Sequence, residues 1–265
     1  TGLEMHASER PTLLALHRDA GPAAILPRLE TGRVRDAVEE STNFFVYDDA
    51  TDPVDAAKGA FQAYAAESGT DTKAAAEYRS TRLLDAEVLS VSTPTDRIDD
   101  AEPYTAGLRE RKDEQEVDAL REAAAIIDRV LADVTPEIEV GMTEREVARK
   151  IEKRVLDSDA DELGVLIVAS GPNTAKPHTN TGGREIRDGD PLIVDAGVVF
   201  DGYYSDITRT YVVGSDDERI REFHEVTREA ARVAREAVEP GVELQAIDRT
   251  AREIIEDAGH LPNVE

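Results

Sequence analysis

One short stretch restricts what this chain can fold into more than any other. Leu192 to Phe200 reads as a strand, apolar apart from Asp195, and Tyr203 to Val213 reads as a second strand. Between them stands Asp201-Gly202, a dipeptide favoured in two-residue hairpin turns because glycine accepts positive φ. Such a turn places Phe200 opposite Tyr203, Asp195 opposite Thr208 and Asp206 opposite Gly197. Both acids then project from one face of the sheet as diagonal neighbours, about 7 Å apart at the backbone.

Two aspartates inside apolar strands need a reason. Aspartate is depleted from strands, and a buried, unpaired carboxylate is expensive. Two on one face also repel each other. One reading is a solvent-facing strand in a very acidic protein. The other is a cation held between the two carboxylates, which removes both costs. Ions in two-metal hydrolytic sites lie about 3.5–4 Å apart, a span that diagonal carboxylates can serve. Oxygen-rich ligation suits Mn²⁺ better than a structural zinc. Gly197, opposite Asp206, is expected to leave room above the sheet.

Upstream, Ser170-Gly171-Pro172-Asn173-Thr174-Ala175-Lys176-Pro177-His178-Thr179-Asn180 is a polar, turn-rich loop between apolar strands. A lone loop histidine is ordinarily just exposed. Beside an acidic hairpin, His178 is equally a donor able to polarise a carbonyl or stabilise an oxyanion. Other motifs fail. His224-Glu225 starts a zincin-like pattern, but Arg228 stands where the second histidine belongs. Gly182-Gly183-Arg184 is too short for a phosphate loop, no serine elbow is present, and His6 and His17 stand alone.

Elsewhere the chain alternates short strands and helices. Leu13 to Leu16, Ala23 to Leu26, Phe44 to Tyr47 and Val88 to Val91 are strand candidates, with a turn at Asp19-Ala20-Gly21-Pro22. Pro53 opens a helix through Ala66, with Phe61 and Tyr64 three apart. Thr93-Pro94-Thr95-Asp96 and Glu102-Pro103 punctuate the chain, and a domain boundary is placed near residue 108. An amphipathic helix then runs to about Val134 with Val117, Leu120, Ala124, Ile127 and Leu131 in step. Thr143-Glu144-Arg145-Glu146 matches a capping box opening a helix that carries Val147, Ile151 and Val155. Gly164 to Ala169 is a buried-type strand. A weak repeat sets Glu139-Val140-Gly141-Met142 against Glu239-Pro240-Gly241-Val242, one hundred residues on, each copy being helix, glycine turn, helix.

Composition enters by exclusion. Asp plus Glu number 57 against 31 Lys plus Arg, a net charge of −26, so nucleic acid is excluded as a partner. No apolar run spans a membrane, and with no cysteine there are no disulfides or thiolate sites. A lysine-poor acidic shell fits a halophilic protein, whose surroundings screen the self-repulsion. With no leader to read, the expected location is cytoplasmic.

Pro177-His178, Gly189-Asp190, Ile193-Val194-Asp195-Ala196-Gly197 and Gly202-Tyr203-Tyr204-Ser205-Asp206-Ile207-Thr208-Arg209-Thr210 together resemble the pita-bread metallopeptidases. The Ser-Asp-x-Thr-Arg-Thr form is similar to the Xaa-Pro aminopeptidases and prolidases. Residues 1–107, from Thr1-Gly2 through Pro27-Arg28-Leu29-Glu30, resemble the creatinase-type N-terminal domain. The resemblance implies an α/β (α+β) chain whose residues 108–265 form a pseudo-twofold catalytic domain, incomplete at its C-terminal side. It implies two divalent ions, Mn²⁺ foremost with Co²⁺ or Zn²⁺ as alternatives. Asp195 matches the first aspartate ligand, Asp206 the bridging one, and His178 the histidine that assists the substrate. One His and two Glu ligands are expected beyond Glu265, and His260 lacks their context. The implied substrate is a peptide with proline in second position, and the implied assembly a homodimer. Two rivals stand beside this: a metal-free creatinase-like hydrolase of a small amide or guanidino compound, and a non-catalytic binding protein on the same scaffold.

Overall fold

A computed structural model describes residues 10–17, 21–48, 52–68, 74–79, 81–91 and 98–260. His6, Thr1-Gly2, Asp19-Ala20, residues 93–96 and the stretch after His260 lie outside the described residues. The chain divides into two compact units, Thr1–Lys112 and Asp113–Glu265. Among the described residues no helix is long and apolar enough to cross a membrane.

The first unit is built on a three-stranded sheet in the order β1 (Leu13–His17), β2 (Gly21–Pro27), β3 (Asn43–Tyr47). Strands β1 and β2 pair antiparallel, while β3 runs parallel to β2 after a crossover through α1 (Thr31–Ala37). Central strand β2 is sealed, with Ala23 to Leu26 fully buried, as expected of a continuous apolar run covered on both faces. Helix α2 (Pro53–Ser68) opens on proline, and the Asp52 side chain accepts from the Val54 and Asp55 N–H groups at 2.8 and 3.2 Å. Its Phe61 and Tyr64 bury against the sheet, where Tyr64 meets Phe45 edge-on at 5.5 Å.

Val88 to Val91 is not a strand. It belongs to α3 (Leu83–Leu89) and the turn after it. Asp85 and Val88, three residues apart, are the buried positions, so helical spacing prevails over local β-propensity. Arg82 and Asp85 cap this helix through paired contacts of 2.8 Å. Strands β4 (Ala74–Ala76) and β5 (Ile98–Asp100) form a separate parallel pair, and α4 (Glu102–Arg109) follows. Alanine carries no strand preference, so β4 has no sequence signature.

The second unit opens with α5 (Glu114–Val134), capped by Asp113, whose side chain accepts from the Glu116 N–H at 2.9 Å. Glu110, Arg111 and Lys112 therefore lie between α4 and α5. The buried stripe is Ala119, Ala123, Ile126, Ile127, Val130, Leu131 and Val134. It is rotated from the expected stripe, leaving Val117, Leu120 and Ala124 on its half-buried flank. Helix α6 (Glu144–Leu156) carries the expected capping box: Glu146 N–H donates to Thr143 Oγ1 at 3.2 Å, and Thr143 N–H donates to Glu146 Oε2 at 2.7 Å.

Both helices pack on one face of an antiparallel sheet made of β6 (Glu162–Ser170), β7 (Asp190–Phe200), β8 (Tyr203–Tyr204) and β9 (Ile207–Val213). Leu192, Val194, Ala196 and Val198 of β7 point into this core, together with Val168 and Val213. Strand alternation sends Ile193, Asp195 and Gly197 to the opposite face. Helices α7 (Glu218–Glu236) and α8 (Leu244–Asp257) complete the unit.

Candidate metal face on the central hairpin

The hairpin has the expected register. Phe200 pairs with Tyr203, and Asp195 pairs with Thr208. The second strand, however, is interrupted at Ser205-Asp206, between β8 and β9. Pairing resumes without slippage because serine substitutes for its own backbone. Ser205 N–H donates to the Val198 carbonyl at 2.9 Å, while Val198 N–H is accepted by the Ser205 hydroxyl at 3.0 Å rather than by a carbonyl. The Ser205 carbonyl is thereby turned toward Gly197, and a Cβ placed on Gly197 would stand 1.9 Å from that oxygen. Gly197 therefore does not leave the open room above the sheet that the sequence leads one to expect. Its missing side chain is the space into which the neighbouring backbone turns.

Asp195 lies on the face turned away from α5 and α6, and Asp206 is the exposed residue just before Ile207, which packs on the core. The core-facing side of β9 carries Ile207 and Tyr211, which pack with α5 and α6. Arg209 shares that side and reaches Asp128 of α5 at 2.8 Å. The intervening Thr208 therefore faces the other way, and its hydroxyl donates to Asp195 Oδ1 at 2.8 Å. Asp195 is half-buried and Asp206 exposed. Among the described residues neither carboxylate forms an ion pair, although the chain supplies such pairs widely elsewhere. Two carboxylates near one another in sequence register and without a compensating cation have the donor chemistry of a hard divalent ion site.

His178 is not drawn into this pair. It sits exposed in the loop after β6, with φ +54°, a left-handed conformation. Among the described residues no group of three or more His, Cys, Asp or Glu side chains is disposed to hold a metal ion.

Sequence reasoning missed a second polar centre. Glu144, the first residue of α6, is fully buried. Its Oε1 accepts from Ser170 N–H (2.8 Å), Ser170 Oγ (2.9 Å) and Asn173 Nδ2 (3.0 Å), and its Oε2 from Gly182 N–H (3.2 Å). Burial pushes this carboxyl upward, but the bonds from Asn173, Ser170 and Gly182 outweigh it and leave Glu144 below the usual carboxylate range. Arg184 donates to Ser170 Oγ at 2.6 Å and to Asp190 Oδ2 at 2.7 Å. Asp190 is likewise lowered: burial raises it, and Arg184 and the Arg187 N–H more than offset that. An acid in the first turn of a helix is so ordinary that nothing in the sequence marks Glu144 as buried.

The sequence and fold have known counterparts. Residues 118–264 match the model of metallopeptidase family M24. The chain belongs to that family. It is 36% identical over 264 residues to the probable dipeptidase PepE of Mycobacterium tuberculosis, covering 97% of this chain and 68% of the relative. It is 38% identical over 154 residues to the Xaa-Pro dipeptidase of Pyrococcus furiosus, covering 58% of this chain and 44% of that protein. The recombinant prolidase of Thermococcus sibiricus superimposes with a TM-score of 0.83 at 31% identity, covering 98% of this chain and 70% of that one. The M24 match thus falls within the second unit, and the chain shares the pita-bread fold of prolidase structures.

Proposed function

We propose that the protein is a metal-dependent Xaa-Pro peptidase, hydrolysing the bond that precedes proline in a dipeptide or at a peptide N-terminus. The observation that carries this is Asp195, paired with Thr208 on the sheet face turned from the core, with Asp206 exposed at the break just before β9, in an M24 chain. Asp195 and Asp206 would hold divalent ions, Mn²⁺ first among them, and ions bound there supply Lewis acidity toward the scissile carbonyl. This chain's own residues do the rest. Thr208 occupies one oxygen of Asp195 and so orients the other outward. Arg209, held by Asp128, keeps its charge on the far side of the sheet. His178 donates a hydrogen bond to the substrate carbonyl as negative charge develops on its oxygen. The first unit would serve as a creatinase-type N-terminal domain, and a cytoplasmic homodimer completes the reading.

The test uses the full-length protein with Mn²⁺. Ala-Pro should be cleaved, Ala-Leu far more slowly, and Asp206→Asn should abolish turnover. Equal cleavage of both peptides favours a general dipeptidase, the reading that the PepE likeness supports. Retained activity in Asp206→Asn, or full turnover after chelation, would establish the metal-free alternative. No turnover with any peptide, alongside intact peptide binding, would establish the non-catalytic one. The acidic surface adds a halophilic reading, for which the melting temperature should rise steadily between 0.1 and 2 M KCl.

A further inference from the structure

We propose that Glu144 is the positioning residue of the His178 loop, holding its entry, its first turn and its exit with one carboxylate. The inference rests on the reading of His178 given above.

Ser170 is the last residue of β6, and the loop closes on Gly182 thirty-eight residues after Glu144. Both ends donate to the same side chain, and Asn173 in the first turn donates as well. The backbone of α6 adds two further ties, Glu144 N–H to the Arg184 carbonyl and Arg145 N–H to the Gly182 carbonyl, each at 3.0 Å. Asn173 also accepts from Lys176 Nζ at 3.2 Å, so a continuous chain of contacts runs from Glu144 to a residue two before His178.

The choice of a carboxylate here needs this explanation. Val147 and Ile151, on the same helix, pack α6 with apolar side chains alone. A buried carboxylate costs free energy that an apolar residue of similar volume avoids. No cation pairs with Glu144 among the described residues, so charge neutralisation is not its role. What the carboxylate contributes is four accepted hydrogen bonds, all from the segment that presents His178. A left-handed conformation at a residue bearing a side chain persists only where its surroundings hold it.

The experiment compares Glu144→Gln, Asn173→Ser, His178→Ala and the double variant Glu144→Gln/His178→Ala in the full-length protein. Glu144→Gln keeps the volume and one oxygen but turns an amide N–H₂ toward the Gly182 N–H. Asn173→Ser leaves Glu144 three of its four donors and so guards against loss of folding. On Ala-Pro, Glu144→Gln should lower kcat about ten- to a hundredfold with a smaller change in KM, because misplacing a participating group acts mainly in the transition state. Asn173→Ser should show a smaller loss. Hydrogen exchange without added metal should quicken at the amides of residues 174–181, while β7 keeps its protection. In the His178→Ala background, Glu144→Gln should cost almost nothing more. Full additivity, or unchanged loop exchange in Glu144→Gln, would overturn the proposal. A wild-type rate in His178→Ala would instead overturn the reading of His178, and is distinguishable because loop exchange reports on Glu144 directly.

Discussion

Two helix pairs in the second unit share one local design and differ in burial. The turn before α6 and the turn before α8 coincide in detail. Gly141 has φ +95° and Gly241 has φ +89°. Met142 N–H donates to the Glu139 carbonyl at 3.2 Å, and Val242 N–H donates to the Glu239 carbonyl at the same distance. Yet α5 and α6 together bury a dozen side chains, whereas α7 buries only Ala230 and α8 buries none. The first pair lies on the β6–β7–β9 sheet, while Phe223, Val238 and Leu244 of the second region remain more than half exposed in these 265 residues, which span 68% of the PepE relative's length. An amphipathic pattern therefore specifies a helix and its apolar side, but burial requires a second layer.

The largest test of that contrast is a matched truncation. Ile151→Ala, at a fully buried position of α6, should cost about 2–5 kcal/mol, while Ile255→Ala in α8 should stay near 0.5 kcal/mol. Chemical denaturation of the 265-residue chain measures both, and equal losses would break the comparison. The glycine turns should behave alike instead. A Cβ at Gly141 or Gly241 meets no atom within 4 Å, so only the positive φ opposes Gly→Ala, at about 1–2 kcal/mol in each copy. A large difference between them would show that the turns are not locally equivalent.

Capping gives a smaller contrast. Thr143→Ala should lose about 1 kcal/mol, because the hydroxyl accepts an early helical N–H. Glu243 makes no side-chain cap bond, so Glu243→Ala should be close to neutral in the same melts. Smallest at neutral pH is the acid response. Glu144 lies below its ordinary value when folded, so its contribution is complete above about pH 4.3 and is lost as pH falls through the lower folded value. Hydrogen exchange of α6 should accelerate below pH 4, and Glu144→Gln should flatten that dependence. An unchanged acid limb in the variant would remove Glu144 from the account.

The hairpin was legible because its determinants are adjacent. Asp201-Gly202 selects the turn, the turn sets the register, and the register puts Asp195 opposite Thr208. Helix α6 was legible for the same reason, its cap and stripe lying within thirteen residues. Val88 to Val91 was misread because three apolar residues around Ser90 carry no period, and the buried Asp85 beside them falsified any simple apolar rule. Glu144 was invisible because its donors, Ser170, Asn173 and Gly182, lie twenty-six to thirty-eight residues away.

What the sequence determined by itself was therefore local or pairwise: turn chemistry, helix caps, apolar periodicity and the pairing of Asp195 with Thr208. Those properties depend on backbone preferences and on neighbours within a few residues. Only the tertiary structure decided that Gly197 yields its space to the Ser205 carbonyl, and that a buried carboxylate gathers the His178 loop. Each of these depends on atoms brought together by chain closure, whose positions no local pattern encodes.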